Sequence, residues 1–141
     1  MDDKTLFDKH GNPVAYIADD YNKTVYLWDG SLVAYIYEDE HVYGINGRHL
    51  GWWVDEILYN VDGDRIAFTS GTCPVAIGKE PQKNKKQRME EIRPRWKAPP
   101  LPKLSFDFAS QDLADFLREG QIERFYEESP AEETQEEESE N

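Results

Sequence analysis

Residues 26–39 read YLWDGSLVAYIYED: an aromatic four places before a glycine, then Asp-Gly, then an aliphatic, a small and an aromatic residue. The phrase recurs as LFDKHGNPVAYIADD (6–20), VYGINGRHLGWW (42–53) and LYNVDGDRIAF (58–68). Aligned on Gly11, Gly30, Gly47 and Gly63, five columns agree. Four before the glycine stand Phe7, Tyr26, Tyr43 and Tyr59, and five before stand Leu6, Val25, Val42 and Leu58. Three after come Val14, Val33, Leu50 and Ile66; four after, the small Ala15, Ala34, Gly51 and Ala67; five after, Tyr16, Tyr35, Trp52 and Phe68. The glycines are spaced 19, 17 and 16 residues apart, an internal repeat one hairpin long.

Each glycine follows His10, Asp29, Asn46 or Asp62, and Asp-Gly and Asn-Gly predict a two-residue type I′ turn. In that register −4 faces +3 and −5 faces +4. Alternation then puts −4, +3 and +5 on one aromatic-rich face and −5 and +4 on the other. A two-stranded hairpin apolar on both faces cannot stand alone in water. Four of them predict an all-β fold of petals around a pseudo-fourfold axis, lined by Ala15, Ala34, Gly51 and Ala67. Residues 74–77 (PVAI) echo 13–16 and read as a closing strand.

The phrases NPVAYI (12–17), VYLWDGSLVAYI (25–36) and YGINGRHLGWW (43–53) together resemble the four-fold β-flower domain family, over roughly residues 5–78. The resemblance implies the petalled fold and carries no catalytic or binding residues with it. The first unit departs most, with DKHGNP in place of a compact Asp-Gly or Asn-Gly turn.

The 141 residues carry a net charge of −13 in three zones. Residues 1–78 hold 5 basic and 13 acidic side chains, residues 79–103 hold 9 and 3, and residues 104–141 hold 2 and 13. Such a balance disfavours nucleic acid and membrane as partners, except through the basic middle, and leaves a protein partner or self-association. Cys73 is the one cysteine, and no Cys/His spacing suggests zinc, so neither metal nor cofactor is expected. The start, MDDKTLFDKHG, lacks the apolar run of a secretory signal. The expectation is a cytoplasmic protein.

Composition divides the chain into a β-repeat domain (4–78), a basic Pro-rich linker (79–104), an amphipathic helical segment (105–128) and a disordered acidic tail (129–141). Lys83, Lys85, Lys86 and Arg88 form a candidate polyanion-binding arm, or a linker lying on the acidic domain. KAPPLPKL (97–104) reads as a polyproline strap that returns Trp96 and Leu101 to the domain surface. Ser110 fits a helix N-cap and Gly120 a stop. Leu113, Phe116 and Leu117 share one helical stripe, which either meets a partner's groove or covers its own fold.

Candidate site residues are few. His10 and His49 are placed at hairpin tips and His41 at a strand start. Asp39, Glu40 and His41 make a weak local cluster, and acid–base work by Arg48 and His49 requires Asp55 or Glu56 beside them. No nucleophile elbow, phosphate loop or zinc-protease motif is present. Cys73 reads as a buried structural cysteine. The aromatic columns read as core. Trp28 and Trp53 fall outside them and, with His41 and His49, are the candidate ligand-binding residues. These features favour a non-enzymatic binding or scaffold module: a rigid β-repeat platform with a C-terminal interaction helix. The alternative is a small-molecule or polyanion binder using the petal-tip aromatics and the basic arm.

Overall fold

The computed structural model describes residues 3–122. Eight strands follow in chain order: β1 (Lys4–Phe7), β2 (Pro13–Ile17), β3 (Thr24–Leu27), β4 (Leu32–Tyr37), β5 (His41–Gly44), β6 (His49–Val54), β7 (Ile57–Asn60) and β8 (Arg65–Phe68). Each is antiparallel to the next, and β8 returns to β1 to close a barrel. Each repeat is one hairpin, so the four-unit architecture expected from the spacing is the fold. The −5 to +4 pairing holds in every unit: Leu6 with Ala15, Val25 with Ala34, Val42 with Gly51, Leu58 with Ala67.

The expected −4 to +3 pairing does not hold. Phe7, Tyr26, Tyr43 and Tyr59 pair with the +2 residues Pro13, Leu32, His49 and Arg65, and the register slips by one at the same place in all four hairpins. Val14, Val33, Leu50 and Ile66 are therefore bulge residues. A bulge sets two residues against one and bends the strand, so +3 and +4 turn to the same side. Val33, Leu50 and Ile66 join the interior cluster with the alanines, and Val14 packs against it. The bulge also supplies the bend that lets four hairpins close on themselves.

The glycine turns correct a second expectation. The N–H groups of Gly11, Gly30, Gly47 and Gly63 donate to the carbonyls of Asp8, Leu27, Gly44 and Asn60. Within each turn only the glycine is left-handed, at φ between 84° and 93°. This is a three-residue loop with glycine in the αL position, not a two-residue type I′ turn. Asp8 Oδ1 accepts from the N–H groups of His10 and Asn12, and Asn60 Oδ1 from those of Asp62 and Asp64, which fixes the loops from within. Paired positive φ values occur at the opposite end of the barrel, at Glu38-Asp39 and Asp55-Glu56.

Ala15, Ala34 and Ala67 are wholly buried around the axis. A Cβ on Gly51 would lie 2.1 Å from the Tyr59 carbonyl oxygen, which is why the third unit has no alanine there. The interior is completed by α1 (Leu113–Arg118), whose N-cap is Asp112, accepting from the Asp115 N–H at 3.2 Å, and not Ser110. Leu113, Phe116 and Leu117 are 0–3% exposed and belong to the interior cluster together with Ala109. The segment touches every glycine turn: Arg65 N–H to Asp107 O at 2.9 Å, Lys9 Nζ to Ala109 O at 3.1 Å, Arg118 Nη2 to Asp29 Oδ2 at 3.2 Å, Asn46 Nδ2 to Glu119 O at 2.8 Å. The helix plugs the barrel at that end, and each buried side chain stabilises by about 1.5–3 kcal/mol.

Residues 74–77 are not a closing strand; β1 and β8 close the barrel, and 74–77 open a strap that runs outside it. The backbone N–H groups of Gly78, Gln87, Trp96 and Ser105 donate to the carbonyls of Gly11, Gly30, Gly47 and Gly63 at 2.7, 2.7, 2.8 and 2.9 Å. Four anchors, nine residues apart, meet four turns in order. Ile92 and Leu104 supply the strap's apolar contacts to the aromatic face. The Trp96 and Leu101 side chains, expected there, are 59% and 52% exposed. The expected disordered tail (129–141) and the end of the amphipathic segment (123–128) lie outside the described residues.

Candidate functional site

The aromatic columns lie on the outer face of the barrel and are buried beneath the strap. In the first gap Tyr16 stacks on Tyr26, and Trp28 tilts against Tyr16 at 5.2 Å. Lys83 Nζ stands 4.5 Å from the Tyr16 ring centre and 5.7 Å from that of Trp28, and Lys86 Nζ 5.2 Å from that of Tyr26, within cation–π reach. Lys83 also pairs with Asp3 at 2.8 Å. Burial works against the Asp3 charge, yet the bonds from Lys83 and the Asp19 N–H leave its pKa below the ordinary value. Burial, then the Asp3 charge, raises the Tyr16 hydroxyl. The Tyr16 hydroxyl and Trp28 Nε1 are buried and make no hydrogen bond among the described residues. The Lys85 backbone carbonyl lies on Gly30, and Arg88 is exposed.

Arg95 fills the second gap. Its guanidinium sits 3.8 Å from the Tyr37 ring centre and donates to the Tyr35 hydroxyl at 3.1 Å, the bond that chiefly raises its pKa. Leu104 packs into the third aromatic cluster, formed by Trp52, Ile57, Tyr59 and Phe68. Lys86, Arg95 and Leu104 are nine residues apart, the spacing of the anchors. That periodicity was the signal in the sequence for Arg95, which charge counting alone did not single out.

His41 and His49 come together. His41 Nδ1 lies 3.1 Å from His49 Nε2, both rings are 4.8 Å from Trp52, and His49 is 4.9 Å from Tyr43. His49 starts β6 and is 7% exposed, not displayed at a tip, because it is the +2 partner of Tyr43 on the strap-covered face. Burial, then the neighbouring His41, pushes its pKa down to about 4. Asp55 and Glu56 lie beyond the other end of β6, about 20 Å along an extended strand, so neither stands beside Arg48 and His49. Among the described residues no three His, Cys, Asp or Glu side chains are grouped to hold a metal ion. Cys73 is half-buried, with Sγ directed at the Asp8 carbonyl at 3.7 Å.

Trp53 stands apart from Trp28. It packs on the interior cluster at the mouth opposite α1 and lines a cavity of about 200 Å³ with Lys4, Ile17, Asp19, Lys23 and Glu56. Lys4 pairs with Glu56 at 2.6 Å, and Lys23 with Asp39, across this rim. The four candidate ligand residues thus occupy three separate places: Trp28 under the strap, His41 and His49 in one nest, and Trp53 at the mouth. No helix among the described residues is long and apolar enough to cross a membrane.

A family model described as 4-fold beta flower protein matches residues 4–117, from β1 through the strap and into α1. No curated protein and no solved structure matches the chain.

Proposed function

The chain belongs to the 4-fold beta flower family, and from that premise we propose that it is a non-catalytic binding or scaffold module. The observation that carries this reading is the one-to-one match of strap anchors to glycine turns. Strap outside and helix inside consume both apolar faces of every hairpin, which makes a rigid platform. Leu113, Phe116 and Leu117 serve that platform from within. Several of the apolar side chains left outside belong to the fourth turn and the segments that meet it: Phe106 is 83% exposed beneath the Arg65 guanidinium at 4.6 Å, with Leu101, Phe108 and Val61 also exposed. Exposed aromatic and aliphatic groups of this kind are where a protein partner or a second copy gains most.

The test compares the full chain with a Leu101→Ser, Phe106→Ser variant. A partner captured from the source lysate, or a dimer seen by sedimentation, that is lost in the variant at unchanged melting temperature supports the reading. Equal capture by both chains, or a monomer that captures nothing at low or high salt, overturns it.

One observation favours small-molecule binding instead, the cavity walled by Trp53. A thermal-shift screen in which Trp53→Phe abolishes every shift would make that the better reading. A polyanion would have to draw Lys83 and Lys86 off the rings they cover, leaving Lys85 and Arg88 as the accessible part of the arm.

A further inference from the structure

At the third glycine turn, three arginines from three different segments converge. Arg48 comes from the β5–β6 turn, Arg93 from the strap and Arg118 from the last turn of α1. With Trp96, Glu119 and Ile122 they line a cleft of about 510 Å³. This is a concentrated positive patch on a chain whose net charge is −13. Its charges are incompletely neutralised. Arg48 is 3.6 Å from Glu119, a long pairing, and Arg118 is 3.2 Å from Asp29. Arg93 makes no side-chain hydrogen bond or ion pair among the described residues. The cleft's remaining wall, Trp96, is 59% exposed. Arginines lining one cleft from separate elements suit carboxylates, which a guanidinium can engage two oxygens at a time.

The described chain ends in this cleft, at Ile122. The residues that continue from it, ERFYEESPAEETQEEESEN (123–141), carry nine glutamates and one arginine. A segment tethered at the rim of an oppositely charged site meets it at high effective concentration. We propose that the cleft of Arg48, Arg93 and Arg118 is occupied by the chain's own residues 123–141, held by glutamate–arginine pairs. The inference does not depend on the platform reading above, whose surface lies at the fourth turn.

The experiment uses the full chain and a glutamate-specific protease, following the first cuts within residues 123–141. Arg48→Gln with Arg93→Gln removes two exposed cleft charges, and Lys79→Gln with Lys103→Gln removes the same charge elsewhere. At low salt the wild-type and lysine-variant tails are cut about threefold more slowly than the arginine-variant tail, the scale set by two exposed ion pairs. At about 0.5 M salt the three rates converge. An octa-D-glutamate peptide, which the protease does not cut, added to the wild type at low salt restores fast cutting by displacing the tail. Equal rates for all three chains at low salt overturn the proposal. So does acceleration by the lysine changes as large as that by the arginine changes. Peptide that shifts the Arg93 Nε–Hε resonance without altering tail cutting also overturns it, since the cleft then takes carboxylates but not this segment.

Discussion

The backbone N–H of Gln87 meets the carbonyl of Gly30 at 2.7 Å, and the Gln87 side chain turns back to accept the N–H of Leu32 at 2.9 Å. One strap residue thus holds both sides of the second turn. Leu32 is 2% exposed, so Gln87→Ala strands a buried donor and is expected to cost about 1–3 kcal/mol in urea unfolding. Gln87→Pro removes the anchor as well and costs more. A strap that merely rests on the barrel would show a change within about 0.5 kcal/mol.

His49 gives the fold an acid-sensitive point. Its pKa falls from the ordinary 6.5 to about 4 because burial, and then His41, disfavour its charge. Between those values the unfolded chain holds a proton at this site that the native chain does not, so stability rises with pH. The contribution is complete above about pH 6.5 and is lost as pH falls towards 4. Melting temperature across that window is expected to drop more for the wild type than for His49→Gln. Parallel curves would assign the acid sensitivity to carboxylates instead.

Phe116 and Phe106 lie ten residues apart and are expected to behave as opposites. Phe116→Ala empties the barrel plug and should cost about 3–5 kcal/mol. Phe106→Ala, at a side chain 83% exposed, should fall within about 0.5 kcal/mol. Chemical denaturation of the two variants reads the difference directly.

Gly51 and Ala34 occupy equivalent columns but are not interchangeable. Gly51→Ala forces a Cβ to within 2.1 Å of the Tyr59 carbonyl oxygen, and the backbone shift required is expected to cost about 1–3 kcal/mol or more. Ala34→Gly adds no clash and loses about 0.5–1 kcal/mol through chain entropy. Equal losses in urea unfolding would show that the two positions have equal room.

The hairpin count, the −5 to +4 pairing and the alanine-lined axis were legible because each rests on a side-chain column repeated four times. The +3 column was misplaced for a physical reason: strict alternation has no term for a bulge, and Val33 or Ile66 looks the same on either face. The strap was harder still. Its anchors are backbone N–H groups carried by Gly78, Gln87, Trp96 and Ser105, four residues with no side-chain property in common. Composition recorded the basic charge of this stretch but not that Lys83, Lys86 and Arg95 lie on aromatic rings. His41 and His49 were singled out one by one; what joins them is the cross-strand register set by the same bulge.

β1 and β8 share a single residue pair, Phe7 with Phe68, while every other pair of neighbours shares three or four. The order of assembly follows. Each hairpin forms from local contacts, whereas that one pairing joins the first strand to the last and must wait for loop closure over the whole array. During synthesis Phe7 emerges early and waits for Phe68, and Phe108, which packs edge-on against Phe68 at 5.7 Å, emerges later still. Until then the nascent chain is an open sheet with two unpaired edges, the state in which a neighbouring copy can pair in place of its own last strand.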